Sequence, residues 1–255
     1  MSAVIEVQHL SKSFGGVHAI EDLSFDVHPA KVQAIIGPNG AGKTTLINLL
    51  TGVYVPDAGS IDMFGEHING KSPEQLARLG LSRTFQNLQV CMNMSALDNV
   101  MIGAHLKMNA GLFAGVLQRA ALREAEAHWR QRAGELLEFV GIGALASSMA
   151  KQLSYGALKR LEIARALIGE PRLVLMDEPA AGLNMSEKTE IAQLIRKVAD
   201  RGTTVVLIEH DMKLVMGVSH RILVLNHGRR LALGSTEEVR KDPDVIEAYL
   251  GTAHD

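Results

Sequence analysis

Apolar and polar positions alternate through the first part of the chain. Leu23, Phe25 and Val27 interleave with Ser24, Asp26 and His28, the period of two that a half-buried strand requires. Residues 4–36 read as β-rich on this basis, and Lys31 to Ile36 ends in an apolar run that predicts a short buried strand. Thr45 to Leu50 reads as a helix, Pro56 to Gly59 as a turn, Ser60 to Phe64 as another strand and Pro73 to Leu79 as a helix. The pattern then changes. Leu97 to about Gly143 is rich in Ala, Leu, Arg and Glu, and Arg119 to Phe139 contains no Gly or Pro apart from Gly134, which predicts a helical insertion. Beyond residue 153 the two periods alternate: helix over Leu158 to Ile168, strand over Leu173 to Met176, helix over Glu187 to Asp200, strand over Thr203 to Ile208. Such alternation implies an α/β fold with a parallel sheet covered by helices. No repeat, low-complexity tract or linker divides the chain.

Composition narrows the function classes. The chain has 255 residues, 47% of them hydrophobic, enough for a substantial core. Its 26 basic and 28 acidic residues leave a net charge of -2, so no basic excess points to nucleic acid. One cysteine, Cys91, excludes an internal disulfide and suits a reducing cytosol. The start, Met1 to Glu6, has neither the basic nor the apolar region of a signal peptide. No apolar run approaches the roughly 20 residues that cross a bilayer. The longest weakly polar stretch, Met108 to Gln118, is bounded by Lys107 and Arg119. The expectation is a soluble protein, free to dock on a membrane protein.

The most specific chemistry lies at Gly37, Pro38, Asn39, Gly40, Ala41, Gly42, Lys43 and Thr44, which fit G-x-x-x-x-G-K-[ST], the phosphate-binding loop. A predicted strand precedes it and a predicted helix, beginning near Thr45, follows. Glycines let backbone N–H groups turn toward phosphates, and a helix N-terminus adds a positive dipole end. Lys43 brings a cation to the β- and γ-phosphates of ATP, and Thr44 offers its hydroxyl to Mg²⁺.

The second half supplies acids. In Leu173 to Glu178 four apolar residues are followed by Asp177 and Glu178. A buried parallel strand in this fold class ends beside the phosphate loop, which places Asp177 near Mg²⁺ and Glu178 where it can polarise an attacking water. Ser154 precedes the helix at Leu158 as a plausible N-cap, and Gly156 permits close backbone approach there.

Together these segments resemble the ATP-binding-cassette ATPases, in the family's order over nearly the whole chain. By that resemblance Phe14 is the aromatic that stacks on adenine, and Gln86 in Arg83 to Asn87 is the glutamine that reaches Mg²⁺ and senses the γ-phosphate. Leu153 to Ala157 is similar to the L-S-G-G-Q signature, Ala180 to Asn184 to the D-loop, and His210 to the switch histidine that contacts the γ-phosphate. The sequence departs from the pattern at Tyr155 (often Gly), Ala157 (often Gln), the following Leu158, where a polar residue is usual, and Asn184 (often Asp). These departures bear on contacts between subunits rather than on nucleotide binding. The implied fold is a P-loop NTPase with a parallel-sheet core, an N-terminal antiparallel β subdomain and a helical subdomain. Its expected layout is one cassette over 1–255, with a core at 1–86 and 151–255 and the helical part near 87–150.

Leu161 to Ala166, Asp177 to Asn184, Ile208 to Gly217, Asp242 to Gly251 and Gly111 to Val116 look like the ATP-binding subunits of branched-chain amino acid uptake systems. The resemblance implies an ATPase on the cytoplasmic face of the inner membrane. A second ATP-binding subunit, identical or homologous, would face it, with transmembrane permease subunits and, indirectly, a substrate-binding protein. Two subunits would enclose two ATP molecules, Lys43, Asp177, Glu178 and His210 coming from one and Ser154 with Gly156 from the other. Cassettes for urea, short amides or lipopolysaccharide share these motifs, and nothing in the sequence touches a cargo. A soluble cassette ATPase acting on DNA or ribosomes would carry long coiled coils or tandem cassettes; the sequence has neither, and no basic stripe. Glu178 speaks against a regulator without turnover.

Overall fold

The computed structural model describes residues 3–108 and 118–250. The chain forms two compact units, Met1–Leu81 with Arg172–Glu178 and Ala192–Asp255, and Ser82–Pro171 with Pro179–Ile191.

The first unit is built on two sheets. β1 (Ile5–Phe14) pairs antiparallel with β2 (Val17–Val27) and with β4 (Ala58–Met63), which in turn pairs with β5 (Glu66–His67). Ile5 and Val7 of β1 face the core, as the alternation demands, and a register shift between Val7 and Leu10 brings Leu10 to the core as well. The other sheet centres on β3 (Val32–Ile36), flanked in parallel by β8 (Thr204–Ile208) and β9 (Arg221–Asn226), with β7 (Leu173–Asp177) parallel to β8. The short β6 (Leu81–Arg83), whose first residue belongs to this unit, lies beyond β7. β10 (Arg229–Gly234) departs from the expected parallel order, because the tight turn at His227 and Gly228 sends it back antiparallel along β9.

Every residue of β3 and β8 is buried, which is why these strands read as mostly apolar, Gln33 and Thr204 being their only polar members. Ile35, Val206 and Leu223 join the cluster that contains Leu46, Ile47 and Leu50 of α1 (Lys43–Leu50). Ala34, Ile36, Ile222 and Val224 face the opposite cluster, with Val215 of α8 (Met212–Val218), Val239 of α9 (Thr236–Lys241) and Val245 of α10 (Pro243–Leu250). Burying Leu46, Ile47 and Leu50 stabilises α1 by about 1.5–3 kcal/mol each, so the helix behind the phosphate loop is firmly seated. α2 (Pro73–Leu79) spans its expected residues, with a Ser72/Gln75 capping box at its start.

The second unit is helical. It contains α3 (Ala96–Gly103), α4 (His105–Met108), α5 (Gln118–Phe139) and α6 (Tyr155–Leu167), the last packed on α3 and α5. That packing groups residues 151–171 with these helices, whereas the sequence reading assigned them to the core. The first residues of α7 (Met185–Asp200) also belong to this unit. Asn99 is fully buried and pins the preceding loop: its Nδ2 donates to Cys91 O and Ser95 O, both at 3.0 Å, and its Oδ1 accepts from Cys91 N–H at 2.8 Å. The Gly111 to Val116 segment, and Met108 to Gln118 but for its two end residues, lie outside the described residues.

Candidate functional site

β3 delivers the chain into the phosphate loop. Gly37 passes so close to β9 that a Cβ there would lie 2.3 Å from Leu225 O, so only hydrogen fits. Gly42, with φ +98, turns the chain into α1 in a conformation that side chains disfavour. Lys43 Nζ folds back over the loop and donates to Gly37 O at 2.7 Å and Pro38 O at 2.9 Å. Burial lowers its pKa, opposed by the charges of Glu178 and Asp177, so the cation and both acids feel one another. Asn39, Gly40 and Thr44 are exposed, while Thr45 is half-buried at the first turn of the helix. The loop thus presents backbone and hydroxyl groups to solvent at a helix N-terminus, the arrangement a phosphate needs.

Asp177 ends β7, in register with Ile208 of β8. Glu178 follows it with φ 48, a left-handed conformation that is uncommon for a non-glycine residue, and donates its N–H to Ile208 O at 2.9 Å. That twist brings Glu178 Oε1 to 3.7 Å from His210 Nδ1. The histidine stands on a turn held from both sides. Glu209, 1% exposed, accepts the N–H groups of His210 and Asp211 at 3.1 and 3.3 Å, and Asp211 caps α8 by accepting Leu214 N–H at 3.1 Å. Sequence reasoning missed Glu209. The available signal was an acid directly after the apolar run Val205 to Ile208 and before two residues whose N–H groups need partners.

Phe14, at the end of β1, is 43% exposed and therefore outside the core. Its ring meets Tyr54 edge-on, with centroids 5.2 Å apart, and Lys12 Nζ lies 5.5 Å from its centre. Tyr54 fixes the tilt of the ring, a role the sequence did not reveal.

Gln86, Ser154 and Gly156 belong to the second unit, where α6 connects them. Gln86 is exposed, but the main chain around it is tied to α6. Lys159 donates to Gln86 O at 3.1 Å, Glu162 accepts Phe85 N–H at 3.1 Å, and Arg165 donates to Gln89 O. These three side chains recur every third residue along one helical face. Burial raises the Glu162 pKa, with Phe85 N–H and then Lys159 working against it. At the start of the same helix Ser154 Oγ accepts Ala157 N–H at 3.3 Å, so the N-cap expectation holds and the helix begins at Tyr155, ahead of Leu158. A Cβ on Gly156 would lie 2.5 Å from Glu187 Oε1. Glu187 in turn exchanges hydrogen bonds with Asn184: each backbone N–H donates to the other's side chain at 3.0 Å. Asn184 therefore caps α7 through its amide oxygen. Ala157 and Leu158 are 5% and 7% exposed, which explains why apolar residues stand where polar ones were expected.

Within the first unit the fold brings together the phosphate loop, Lys43, Asp177, Glu178 and His210. Within the second it links Gln86, Ser154 and Gly156 through one helix. Residues 20–181 match the family model described as ABC transporter, and residues 229–255 match that of the branched-chain amino acid ATP-binding cassette transporter. The chain is 43% identical to the high-affinity branched-chain amino acid transport ATP-binding protein LivG of Escherichia coli (strain K12), over 98% of each chain. It is equally similar, 43% over 98% of each chain, to BraF of Pseudomonas aeruginosa, which carries the same description. The structure superposes on the ADP conformation of an ATP-binding cassette of an ABC transporter with a TM-score of 0.85 and 30% identity, covering 98% of this chain and 100% of that one. A phosphate loop backed by paired acids and a histidine, on this fold and with these relatives, has one meaning: the chain belongs to the ABC transporter family, as one of its ATP-hydrolysing cassettes.

Proposed function

We propose that this cassette hydrolyses Mg·ATP to power import of branched-chain amino acids, working from the cytoplasmic face of the inner membrane. The observation that carries the site is the convergence of Lys43, Asp177, Glu178 and His210 on a complete phosphate loop. The cargo rests on likeness to LivG and BraF and on the match over 229–255.

Residues 37–45 bind the triphosphate. Lys43 leaves the carbonyls of Gly37 and Pro38 and moves its ammonium to the β- and γ-phosphates, a short swing from a cation already in place. The Thr44 hydroxyl, the Asp177 carboxylate and Gln86 are hard oxygen donors, the set that suits Mg²⁺ completed by phosphate oxygens. When bound, that ion would neutralise charge developing on the phosphates. Glu178 accepts a hydrogen bond from the attacking water and polarises it. His210, beside Glu178, contacts the γ-phosphate, and Phe14 stacks on adenine. Ser154 and Gly156 serve the nucleotide of a facing ATP-binding subunit, while permease subunits and a substrate-binding protein complete the importer.

The test has two parts. Lys43→Ala should abolish hydrolysis and weaken ATP binding in a titration with a fluorescent ATP analogue; unchanged affinity and turnover would exclude the loop as the site. Co-expression with the membrane subunits should give uptake of labelled leucine, isoleucine or valine. Uptake of urea or short amides alone would overturn the assigned cargo and leave the ATPase reading intact.

A further inference from the structure

At the end of β3 away from the phosphate loop lies a cleft of about 810 Å³, the size of a small-molecule site. Gln33 forms part of its wall, four residues before Gly37 and so about 13 Å along the strand from the loop. It is the one polar residue of an otherwise aliphatic strand. Gln33 is 3% exposed, and its Nε2 finds no hydrogen-bond partner among the described residues. A buried donor left without a partner is costly and calls for an explanation. The other polar groups of the wall divide into those already engaged and those left over. Arg221, the register partner of Gln33 on β9, donates through Nη1 to both oxygens of Asp26 at 2.9 Å. Glu238 accepts the N–H and the hydroxyl of Ser235 at 2.7 and 2.9 Å. His220 Nδ1 accepts the N–H of Val32 at 3.1 Å. Burial, and then the Lys31 charge, lower the pKa of that ring, so the neutral imidazole carries its proton on Nε2. This Nε2–H, the exposed ammonium of Lys31 and the Gln33 amide have no acceptor among the described residues. All three are donors, and one is a cation. Pro29 and the half-buried Leu233 give the cleft an apolar side.

An anion rich in acceptors answers these donors, and a hydrocarbon body answers the rest of the wall. We propose that this cleft is a second ligand site, separate from the phosphate loop, for a small organic carboxylate. Its oxygens take the hydrogen bonds of Gln33 Nε2, His220 Nε2 and the Lys31 ammonium, and its apolar part lies against Pro29 and Leu233. The ligand then sits at the base of the strand whose other end becomes the phosphate loop.

Hexanoate serves as the probe, titrated against the full chain by ligand-observed NMR. Hexan-1-ol, which lacks the charge, and inorganic phosphate, which lacks the hydrocarbon body, are titrated beside it. Hexanoate should bind saturably and more tightly than either. Gln33→Met keeps the length of the side chain and removes the donor. It should weaken hexanoate about tenfold, the worth of a hydrogen bond to a charged group, and should raise the unfolding temperature of the ligand-free protein because no donor is left stranded. Lys31→Met, at an exposed position, should weaken hexanoate by about the same factor while unfolding temperature and ATP affinity stay as in the parent. Equal binding of hexan-1-ol would make the cleft merely apolar, and equal binding of phosphate would make it a general anion site; either result overturns the proposal. So does hexanoate binding that is unchanged in both variants, or no saturable binding at all, which would leave water as the occupant. If Gln33→Met fails to fold or loses ATP affinity, Lys31→Met decides: hexanoate affinity within twofold of the parent overturns the proposal.

Discussion

Glu178 shows what a single residue can tell about a site. A glutamate at φ 48 carries backbone strain of about 1–3 kcal/mol, which persists only where the surroundings hold it. Here the Ile208 carbonyl does so, and the carboxylate is turned toward His210. Glu178→Gln keeps the shape and removes the charge. Phosphate release should fall about 10²- to 10⁴-fold, the usual worth of a general base, while equilibrium ATP binding is retained. Turnover at the parent rate would show that Glu178 is not the base. The acids at the end of β7 were legible because four apolar residues lead into them. Glu209 was not, although it stands in the same position after β8. Only the coordinates show that its carboxylate points inward to hold the backbone of His210, while Glu178 remains 21% exposed.

Among the elements, α6 carries a great deal of buried polarity for its length. Lys159 and Glu162 are 1% and 5% exposed, and both are spent on the loop that carries Gln86. Glu162→Ala would strand Phe85 N–H and remove the acid that Lys159 interacts with, so it should destabilise by about 1–3 kcal/mol in denaturant titration. Glu162→Gln keeps an oxygen for Phe85 and should cost far less; equal losses in the two variants would mean that the carboxylate oxygens do not hold the loop. The sign of the pH effect follows from the raised pKa. The folded state holds a proton on Glu162 that the unfolded state has already released, so stability falls as pH rises from the ordinary glutamate value through the folded one. The parent should therefore gain more from mild acidification through that window than Glu162→Gln does, as measured by unfolding midpoints at paired pH values. A larger gain in the glutamine variant would reverse the assignment. Helix start signals made α2 and the Ser154 cap readable. The charged face of α6 was not, because its partners lie more than seventy residues away, beyond the reach of periodicity. The β9–β10 hairpin went unassigned even though Arg221 to Asn226 and the His227-Gly228 turn carry its signal.

At the scale of the whole molecule, transport requires a contact that the cassette does not make alone. No helix of the described residues is long and apolar enough to cross a membrane. Residues 88–94 of the helical unit read as unusually apolar for a loop, which leaves two accounts: packing beneath the helices, or a groove for a permease segment. The structure separates the residues. Leu88, Val90 and Met94 are half-buried, whereas Cys91 and Met92 are exposed, Met92 by 41%. The Met92 backbone is already fixed, its carbonyl accepting Lys151 N–H at 3.1 Å, so its side chain can change without freeing the loop. A flexible thioether on a pinned backbone suits a contact that must tolerate an imperfect fit. Met92→Glu should then leave ATP binding intact and shift the unfolding midpoint by less than about 2 °C, as exposed substitutions do. Co-purification with the membrane subunits, and uptake with it, should be lost. Retained co-purification would move the coupling surface elsewhere, to the neighbourhood of Phe85 or Ile102, each exposed by about as much. A sharp fall in the unfolding midpoint together with lost co-purification would mean that Met92 supports the fold of the loop and that the groove account is wrong.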